Sequence, residues 1–325
     1  MTGAAPSRVL VTIGDPNGVG PEIAIKAAAA LADDPHNRPI LIGDRHVVSP
    51  IARSLGLTIA DAPDRWGDPD TQVDLQPVHH FAEEHYRPGA VSAAAGSATV
   101  AYVSEALALI QSGTGRAIVG CPHSETAVNA SGRRFSGYPD LLAELLETGP
   151  NSVFMMLIGG GLRVIHATLH EGIRPALDRL TPDLIQKAVL AGTDALKRLG
   201  IDRPKIGLFG INPHAGEGGL FGNEDDTVVV PARDALRALG HDIHGPEGAD
   251  TMLARDGYDA FVAMYHDQGH IPVKQAAGRT ASALSVGGGI VFSSVGHGAA
   301  FDIAGKGIAD PEAVLRTIRL VGGQP

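Results

Sequence analysis

The sequence predicts an α/β fold built on mostly parallel sheets. Short runs of apolar, β-branched residues alternate along the 325 residues with longer stretches that are rich in Ala and Leu. Such alternation is typical of parallel strands that are connected by helices. The chain has 42 Gly but only 4% aromatic residues, and this composition favours helices packed closely on a sheet. The length suffices for one large or two medium domains.

In the N-terminal part, buried strands are separated by helices with recognisable starts. Residues 21–32 predict a helix, and Pro21 suits its first turn, where a missing N–H costs little. Residues 92–110 predict a second helix, with Ser92 as its candidate N-cap. Buried strands are predicted from the apolar runs at residues 8–14, 38–44 and 116–122.

Further along the chain, a hairpin interrupts the parallel pattern. Residues 152–159 and 162–168 are apolar runs that flank glycines, and this arrangement predicts two antiparallel strands. A helix is predicted at residues 181–200, where Gly200 would end it. Strand, helix and strand then repeat at residues 205–212, 225–239 and 258–266.

Charge and cysteine content exclude several classes of protein. The formal net charge is −10 and acidic residues are spread along the chain, which argues against a nucleic-acid or anionic-membrane surface. Cys121 is the only cysteine, so no internal disulfide can form and a reducing compartment is expected. We see no apolar run of transmembrane length and no secretory signal. We therefore expect a soluble cytoplasmic protein.

A first glycine-rich loop, GDPNGVGPE, follows the first strand, where open α/β sheets bind ligands. Its glycines would let the backbone approach a ligand, and the helix N-terminus at Pro21 favours an anion. The third glycine of a Rossmann fingerprint is missing after Gly18 and Gly20. A plain tight turn into the helix is the alternative.

A second glycine-rich loop, GHGAAFDIAGKGIADP, lies at residues 296–311. Its backbone groups would hold an adenine while Asp302 or Asp310 faces a ribose hydroxyl. A glycine-rich connection that binds no ligand is the alternative.

Histidines follow three of the predicted strands. His166 and His170 lie in HATLHEG, His214 lies in INPHAGEGG and His266 lies in MYHDQGH. Imidazoles that meet at one edge of a sheet would hold a divalent cation such as zinc or cobalt, with a position left open for substrate. Taken singly, each histidine has a structural or surface role as its alternative.

The stretch AMYHDQGHIPVK has two histidines four residues apart. A continuous helix would place His266 and His270 on one face, but Gly269 and Pro272 argue against a helix here. His266 is therefore the candidate ligand and His270 a supporting or structural residue. Lys274 offers a cation for a carboxylate or phosphate, or a proton donor if its pKa is depressed; a solvated surface lysine is the alternative.

Four segments, in order, resemble the metal-dependent hydroxythreonine-phosphate dehydrogenase family, PdxA-like, and the resemblance covers nearly the whole chain. They are GDPNGVGPEI, NPHAGEGGLFG, AMYHDQGHIPVK and GHGAAFDIAGKGIADP. The last is also similar to the nucleotide loop of isocitrate and isopropylmalate dehydrogenases, whose fold the family shares. The resemblance implies a two-domain α/β/α subunit of that type, and a homodimer whose active site lies in the interdomain cleft and is shared across subunits. The implied domains are a nucleotide-binding domain (1–122 plus 265–325) and a metal-binding and dimerisation domain (123–264).

The resemblance also implies cofactors and the residues that hold them. It implies NAD as the oxidant and a divalent metal, with zinc first and cobalt, manganese or magnesium as alternatives. The metal would be held by His170 and His214 of one subunit and His266 of the other, whereas His166 does not align with a family ligand. Asp267 would orient His266 or a metal-bound water. The implied NAD-binding residues are Gly14, Asp15, Gly296, His297, Gly298, Asp302, Ile303 and Asp310.

The chain departs from the family pattern where the substrate would lie. The usual GHTE becomes GYPD, so that Tyr138 and Pro139 replace a substrate-facing His and Thr. An Asn, an Arg and an Asn-Lys pair of the family are replaced by Ala283, Phe292 and His123-Ser124. The loss of an Arg and of hydrogen-bond donors argues against a phosphate ligand, whereas Tyr138 and Phe292 would suit a ring. The implied substrate contacts are Tyr138, Pro139, His123, Phe292 and the retained Lys274.

CPHSETAV, FSGYPDLLA, LRVIHATLHE, ASALSVGG and SSVGHGAAFDIAG resemble the terephthalate dihydrodiol dehydrogenase branch of the family, although Gly289 stands where that branch has an Arg. The resemblance implies NAD- and metal-dependent oxidative decarboxylation of a cyclic cis-diol dicarboxylate to protocatechuate and CO2. Lys274 would neutralise a substrate carboxylate or donate a proton, and the general base is unassigned. Two alternatives stay open: a dehydrogenase of a phosphorylated hydroxy acid, such as 4-hydroxythreonine 4-phosphate or a threonate phosphate, and a non-catalytic metal-binding protein.

Overall fold

A computed structural model describes residues 8–61, 63–135, 137–149, 151–278, 281–295 and 298–322. Its contacts divide the chain into two units. The first unit comprises the described residues up to Gly137 and from Ile290 onward, and the second comprises those between Tyr138 and Gly289. The sequence-based division, with crossings after residues 122 and 264, stays a prediction about the functional domains.

The helices and strands of the described residues are numbered along the chain. The strands are β1 (Arg8–Thr12), β2 (Ile40–Gly43), β3 (Ile59–Ala60), β4 (Val73–Pro77), β5 (Gly115–Gly120), β6 (Val153–Gly159), β7 (Leu162–His166), β8 (Lys205–Phe209), β9 (Asp242–Glu247), β10 (Ala260–Ala263), β11 (Ser282–Gly287) and β12 (Ile290–Ser294). The α-helices are α1 (Gly20–Ala30), α2 (Arg45–Ser54), α3 (Ala93–Gln111), α4 (Glu125–Ala130), α5 (Tyr138–Leu145), α6 (Ile173–Arg179), α7 (Pro182–Arg198), α8 (Val230–Ala238), α9 (Ala249–Leu253), α10 (His266–Ala277) and α11 (Glu312–Val321).

The first unit contains a parallel set of strands in the order β3-β4-β2-β1-β5-β12. β1 lies between β2 and β5, with Leu10 opposite both Ile40 and Ile118. These three side chains are fully buried, as expected for strands that are covered on both faces. The predicted α/β architecture with parallel strands is therefore confirmed in this unit.

The second unit contains strands in the order β11-β6-β7-β10-β8-β9. β6 pairs antiparallel with both β7 and β11, which confirms the predicted hairpin, whereas the pairs β7–β10, β10–β8 and β8–β9 are parallel. A buried core forms on this sheet around Leu157, Val164, Phe209, Phe261 and Val273. Val273 belongs to α10, so this core anchors that helix against the strands.

Local capping follows the sequence signals. Ser92 Oγ accepts a hydrogen bond from the backbone N–H of Ala95, which confirms it as the N-cap of α3. Thr181 caps α7 in the same way through Leu184. The expectation that no apolar run reaches transmembrane length is wrong for α3, which is long and apolar enough to cross a membrane by length and composition alone. However, 56% of its most apolar 18-residue stretch is buried, as in the core helix of a globular unit.

The stretch from His266 onward corrects one prediction. It forms the continuous helix α10, although Gly269 and Pro272 had argued against a helix. Gly269 is present because a Cβ there would lie 2.4 Å from Nε2 of His166, and Pro272 removes only one backbone hydrogen bond. Burial of Val273 offsets that loss. The predicted strand 258–266 is accordingly shorter, because β10 ends at Ala263.

Candidate active site

Two of the predicted metal ligands meet in the second unit. β7 and β10 are parallel neighbours, so the residues that follow them lie at the same edge of the sheet. His170 lies four residues beyond β7, and His266 is the first residue of α10. The centroids of the two rings are 5.5 Å apart. One chain therefore brings His170 and His266 together, whereas the family resemblance assigns them to different subunits.

Asp267 lies behind His266, as the sequence analysis expected. Its Oδ1 is 2.8 Å from Nδ1 of His266. A carboxylate only accepts, so Nδ1 donates and the neutral ring keeps a lone pair on Nε2. An imidazole held in this tautomer is suited to bind a divalent cation.

Two more histidines extend the group, and we call His166, His170, His266 and His270 the histidine cluster. The ring centroids of His166 and His270 are 4.6 Å apart, and those of His266 and His270 only 3.7 Å. Burial, followed by the neighbouring His270, lowers the pKa of His166 to about 3. Burial, followed by His266, lowers the pKa of His270 to about 4. Both rings are therefore neutral near pH 7, the form in which imidazole binds metals.

The third predicted ligand, His214, lies in a strained loop after β8. His214 and the next four residues all have positive φ, and three of them are not glycine, which costs free energy and is typical of functional loops. His214 is exposed, with its ring 6.1 Å from that of Phe221. Within the described residues, no three His, Cys, Asp or Glu side chains are grouped to hold a metal ion. The structure thus pairs two of the three predicted ligands and leaves His214 outside that pair.

A cavity of about 330 Å³ opens beside the paired histidines. Its lining includes His170, His266 and Asp267 together with apolar side chains of the α6 region, Leu169, Ile173 and Ala176. Its volume is at the lower end of those found for small-molecule sites. Sequence reasoning missed the apolar wall, although Ile173 is the first residue of α6 and directly follows the HATLHEG motif.

The predicted substrate contacts are in different environments. Lys274 is exposed on α10, one turn beyond His270, and its charge contributes to the lowered pKa of His270. Tyr138 and Pro139 begin α5, where Tyr138 is buried and Pro139 half-buried. His123, before α4, packs edge-on against Phe135 at 5.1 Å, and burial lowers its pKa. Phe292 is 1% exposed in β12. The substrate roles of these residues stay predictions.

The loop after β1 lies close to the loop after β5. Gly14 has φ +71, and a Cβ there would lie 2.2 Å from the carbonyl oxygen of Pro122, so only glycine fits. Asp15 donates its backbone N–H to the same oxygen at 3.0 Å, and burial raises the pKa of its carboxyl to about 6. Within the described chain, Asp15 Oδ2 and Asn17 Nδ2 are buried and have no hydrogen-bond partner. Unpaired buried polar atoms are costly and require an explanation such as a ligand or water.

The C-terminal glycine-rich loop is fastened to α1 by two charged residues that the sequence analysis did not single out. The Glu22 carboxylate accepts hydrogen bonds from the backbone N–H groups of Gly307 at 3.2 Å and Ala309 at 2.8 Å. Lys26 Nζ donates to Glu22 at 2.7 Å and to the carbonyls of the same two loop residues. The spacing of Glu22 and Lys26, one helical turn apart, is the only sequence signal for this pair.

A cavity of about 260 Å³ lies between α1 and this loop. Ile303 and Asp310, two of the predicted NAD-binding residues, line it together with Val19 and Ile23. An apolar pocket with one carboxylate at its edge suits a nucleoside. Asp302 and Gly298 are exposed, and the predicted residues Gly296 and His297 lie outside the described residues.

Comparisons with known proteins place the chain in a family. Residues 35–321 match the family described as pyridoxal phosphate biosynthetic protein PdxA, and the chain belongs to this family. It is 44% identical to a 1,2-dihydroxy-3,5-cyclohexadiene-1,4-dicarboxylate dehydrogenase of a Comamonas species, over 98% of both chains. It is 40% identical to a D-threonate 4-phosphate dehydrogenase of Cupriavidus necator, over 95% of this chain and 94% of the relative.

A solved structure gives the same relationship. The crystal structure of a terephthalate 1,2-cis-dihydrodiol dehydrogenase from Burkholderia xenovorans LB400 is 49% identical and superposes with a TM-score of 0.86, over 98% of both chains. The resemblance to this family is therefore confirmed, and the three relatives described above are dehydrogenases.

Proposed function

We propose that the protein is an NAD-dependent, divalent-metal-dependent dehydrogenase that oxidatively decarboxylates a cyclic cis-diol dicarboxylate, as in the conversion of terephthalate dihydrodiol to protocatechuate and CO2. The observation that carries the proposal is the pairing of His170 and His266, backed by Asp267, beside a cavity with an apolar wall. A site that dehydrogenates a ring needs polar groups that bind the hydroxyl groups and an apolar surface that contacts the carbon skeleton.

The donor set fits a divalent cation. His170 and His266 would hold it. His214 would supply the third imidazole from the partner subunit, because the described residues of one chain contain no group of three possible ligands. Three imidazoles favour zinc, with cobalt, manganese or magnesium as alternatives. A homodimer would provide this arrangement, and the exposed Leu220 and Phe221 near His214 suit a subunit contact.

The nucleotide elements fit NAD. Ile303 and Asp310 line the cavity beside α1, and the unpaired polar atoms of Asp15 and Asn17 lie in the loop that leads into the same helix. The proposed cofactor contacts also include Gly14, Gly296, His297, Gly298 and Asp302.

A cytoplasmic location stays a prediction.

A divalent cation held by His170 and His266 would supply Lewis-acid chemistry to the substrate oxygens, and NAD would be the hydride acceptor. The chain's own residues would position these groups. In a neutral His266, the hydrogen bond to Asp267 places the proton on Nδ1, so that Nε2 is the nitrogen available to a cation. Lys274 would neutralise a substrate carboxylate or donate a proton. The remaining predicted substrate contacts are Tyr138, Pro139, His123 and Phe292, which do not line the cavity beside His170 and His266.

A second candidate keeps the reaction type but changes the substrate to a phosphorylated hydroxy acid. It is favoured by the 40% identity to a D-threonate 4-phosphate dehydrogenase, which is close to the 44% of the diol enzyme. The replacement of an Arg by Phe292, which is fully buried, removes a phosphate-binding cation and counts against it.

Substrate turnover separates the two candidates. We would measure NADH formation and CO2 release with the cyclic cis-diol dicarboxylate, and separately with 4-hydroxythreonine 4-phosphate and threonate 4-phosphate. NADH and CO2 with the diol alone would support the proposal. Turnover of a phosphorylated substrate alone would overturn it in favour of the second candidate, and metal binding without any turnover would favour a non-catalytic metal-binding protein.

His170→Ala provides the site variant for the same assay, and His36→Ala provides a matched control. His36 is an exposed histidine of the first unit whose backbone, rather than side chain, makes its hydrogen bonds. We expect turnover to fall by at least a hundredfold in His170→Ala and to stay at the original level in the control.

A further inference from the structure

His166, His270 and His266 are linked by a continuous chain of contacts. His166 ends β7 and is 1% exposed. Its Nδ1 lies 3.3 Å from the carbonyl oxygen of Met155, its cross-strand neighbour on β6. Its Nε2 lies 3.0 Å from Nδ1 of His270, and the His270 ring lies parallel to that of His266, with an interplanar angle of 13°.

The backbone carbonyl of Met155 determines which ring nitrogens of His166 and His270 carry protons. The Met155 carbonyl can only accept, so Nδ1 of His166 carries a proton. Burial disfavours the charged ring, so Nε2 of His166 has a lone pair and accepts a hydrogen bond. Nδ1 of His270 must therefore be the donor, which leaves Nε2 of a neutral His270 without a proton.

Close packing between α10 and β7 keeps the three histidine rings in contact. Gly269 precedes His270 on α10 and rests on the His166 ring, since a Cβ there would lie 2.4 Å from Nε2 and 2.9 Å from Val164. The helix therefore approaches β7 closely enough for His270 to reach His166. The His266 ring, one turn earlier, is then held at its edge by Asp267 and on its face by His270.

We infer that His166 and His270 are positioning residues: the hydrogen bond from His270 to His166 fixes the His270 ring, and that ring, stacked on His266, holds the His266 imidazole in the orientation that binds a metal. The inference rests on the proposed function, because it takes His266 as a ligand. It assigns a role to two histidines that are not themselves in the proposed ligand set.

The proton positions are tested by ¹⁵N NMR of the histidine rings in the full chain after removal of metals by a chelator. We expect His166 and His270 to carry their protons on Nδ1, and we expect His270 to lose this preference in His166→Leu. A proton on Nε2 of His270 in the unaltered protein would overturn the inference.

The positioning role is tested by titration with Co²⁺, whose visible absorption reports binding and geometry without turnover. We expect His270→Ala to weaken Co²⁺ binding about tenfold, as found for groups that orient metal ligands. His270→Phe retains a stacking ring and should recover part of the affinity, and His36→Ala should bind like the unaltered protein. Thermal unfolding checks that each variant is folded. If His270→Ala does not fold, His270→Phe takes its place in the Co²⁺ titration.

The two proposals fail in different ways. If the unaltered protein binds Co²⁺ and His270→Ala binds it equally well, the positioning role is wrong and the metal-dependent function stands. If the unaltered protein does not bind Co²⁺, the proposed metal site is wrong and the positioning role falls with it.

Discussion

Single residues in this chain are best understood from what lies within a few ångströms of them. Gly269 lies between polar residues in the sequence HDQGH, where the sequence alone predicts a helix breaker. In the structure it is instead the point of closest approach between α10 and β7, because no side chain fits above His166. The residue that argued against the helix therefore permits the helix to pack.

The packing at Gly269 leads to an expected loss of stability in Gly269→Ala. The added methyl group would lie 2.4 Å from Nε2 of His166, and such overpacking costs about 1–3 kcal/mol. Urea unfolding at an unchanged m-value would measure the difference. Gly172→Ala is the control, because its Cβ would meet Pro175 at an ordinary 3.5 Å. Equal stability of the two variants would contradict the close approach.

Asp15 gives an expected pH dependence of stability. Burial raises the pKa of its carboxyl from 3.8 to about 6, so the folded state binds a proton that the unfolded state releases. The resulting stabilisation is present below about pH 4 and is lost as the pH rises through about 6. We expect Asp15→Asn to remove about 2 kcal/mol of this change between pH 4 and 7.

The measurement for Asp15 is the free energy of unfolding from urea titrations at several pH values. Asp256→Asn, at an exposed position, should keep the dependence of the unaltered protein. An unchanged slope in Asp15→Asn would show that the Asp15 carboxyl is already ionised in the folded state.

At the scale of helices and strands, the sequence signals worked where they are local. The capping of α3 by Ser92 and the hairpin of β6 and β7 depend on neighbours within a few residues, and both were predicted. α10 was missed because the contacts that hold it are distant in sequence: Val273 packs in the core of the sheet, and His270 contacts His166, 104 residues away. β11 and β12 were also missed, since short runs with several Gly and Ser carry a weak strand pattern.

The attachment of the C-terminal loop to α1 gives an expected effect on cofactor affinity. Glu22→Gln removes the charge that binds Lys26 and two loop N–H groups. Hydrogen bonds to charged groups contribute about 1.5–3 kcal/mol, so we expect KM for NAD to rise about tenfold or more. kcat and KM for the organic substrate should change by less than about twofold.

Steady-state kinetics with each substrate varied in turn would measure this separation. Glu83→Gln, an exposed carboxylate elsewhere in the same unit, is the control. A uniform loss of activity, with kcat falling and KM for NAD unchanged, would contradict a role of Glu22 in presenting the nucleotide loop.

At the scale of the whole molecule, the candidate site could be predicted only in part. Positions after apolar runs made His166, His170, His214 and His266 candidates, and the family resemblance preferred His170 over His166. The fold brings His170 and His266 together. Their distribution between subunits was not predictable from this chain alone, since it depends on how two copies associate. The apolar wall of the cavity and the Glu22–Lys26 pair depend on tertiary contacts that leave little trace in sequence.

Mixed dimers would show how the ligands are shared. If His170 and His266 act from one chain and His214 from its partner, His170→Ala and His214→Ala are each inactive but restore about a quarter of the activity when coexpressed, because half of the dimers then contain one intact site. His170→Ala with His266→Ala should restore nothing. The opposite pattern would support the division of ligands that the family resemblance implies.

We propose that this chain is a metal-dependent dehydrogenase of a cyclic cis-diol dicarboxylate. The most direct test is NADH formation from that substrate by protein that has been treated with a chelator, measured before and after addition of Zn²⁺. We expect negligible NADH before the addition and full recovery after it, with CO2 released in equal amount. Undiminished NADH formation after chelation, or none after addition of Zn²⁺, Co²⁺, Mn²⁺ or Mg²⁺, would contradict it.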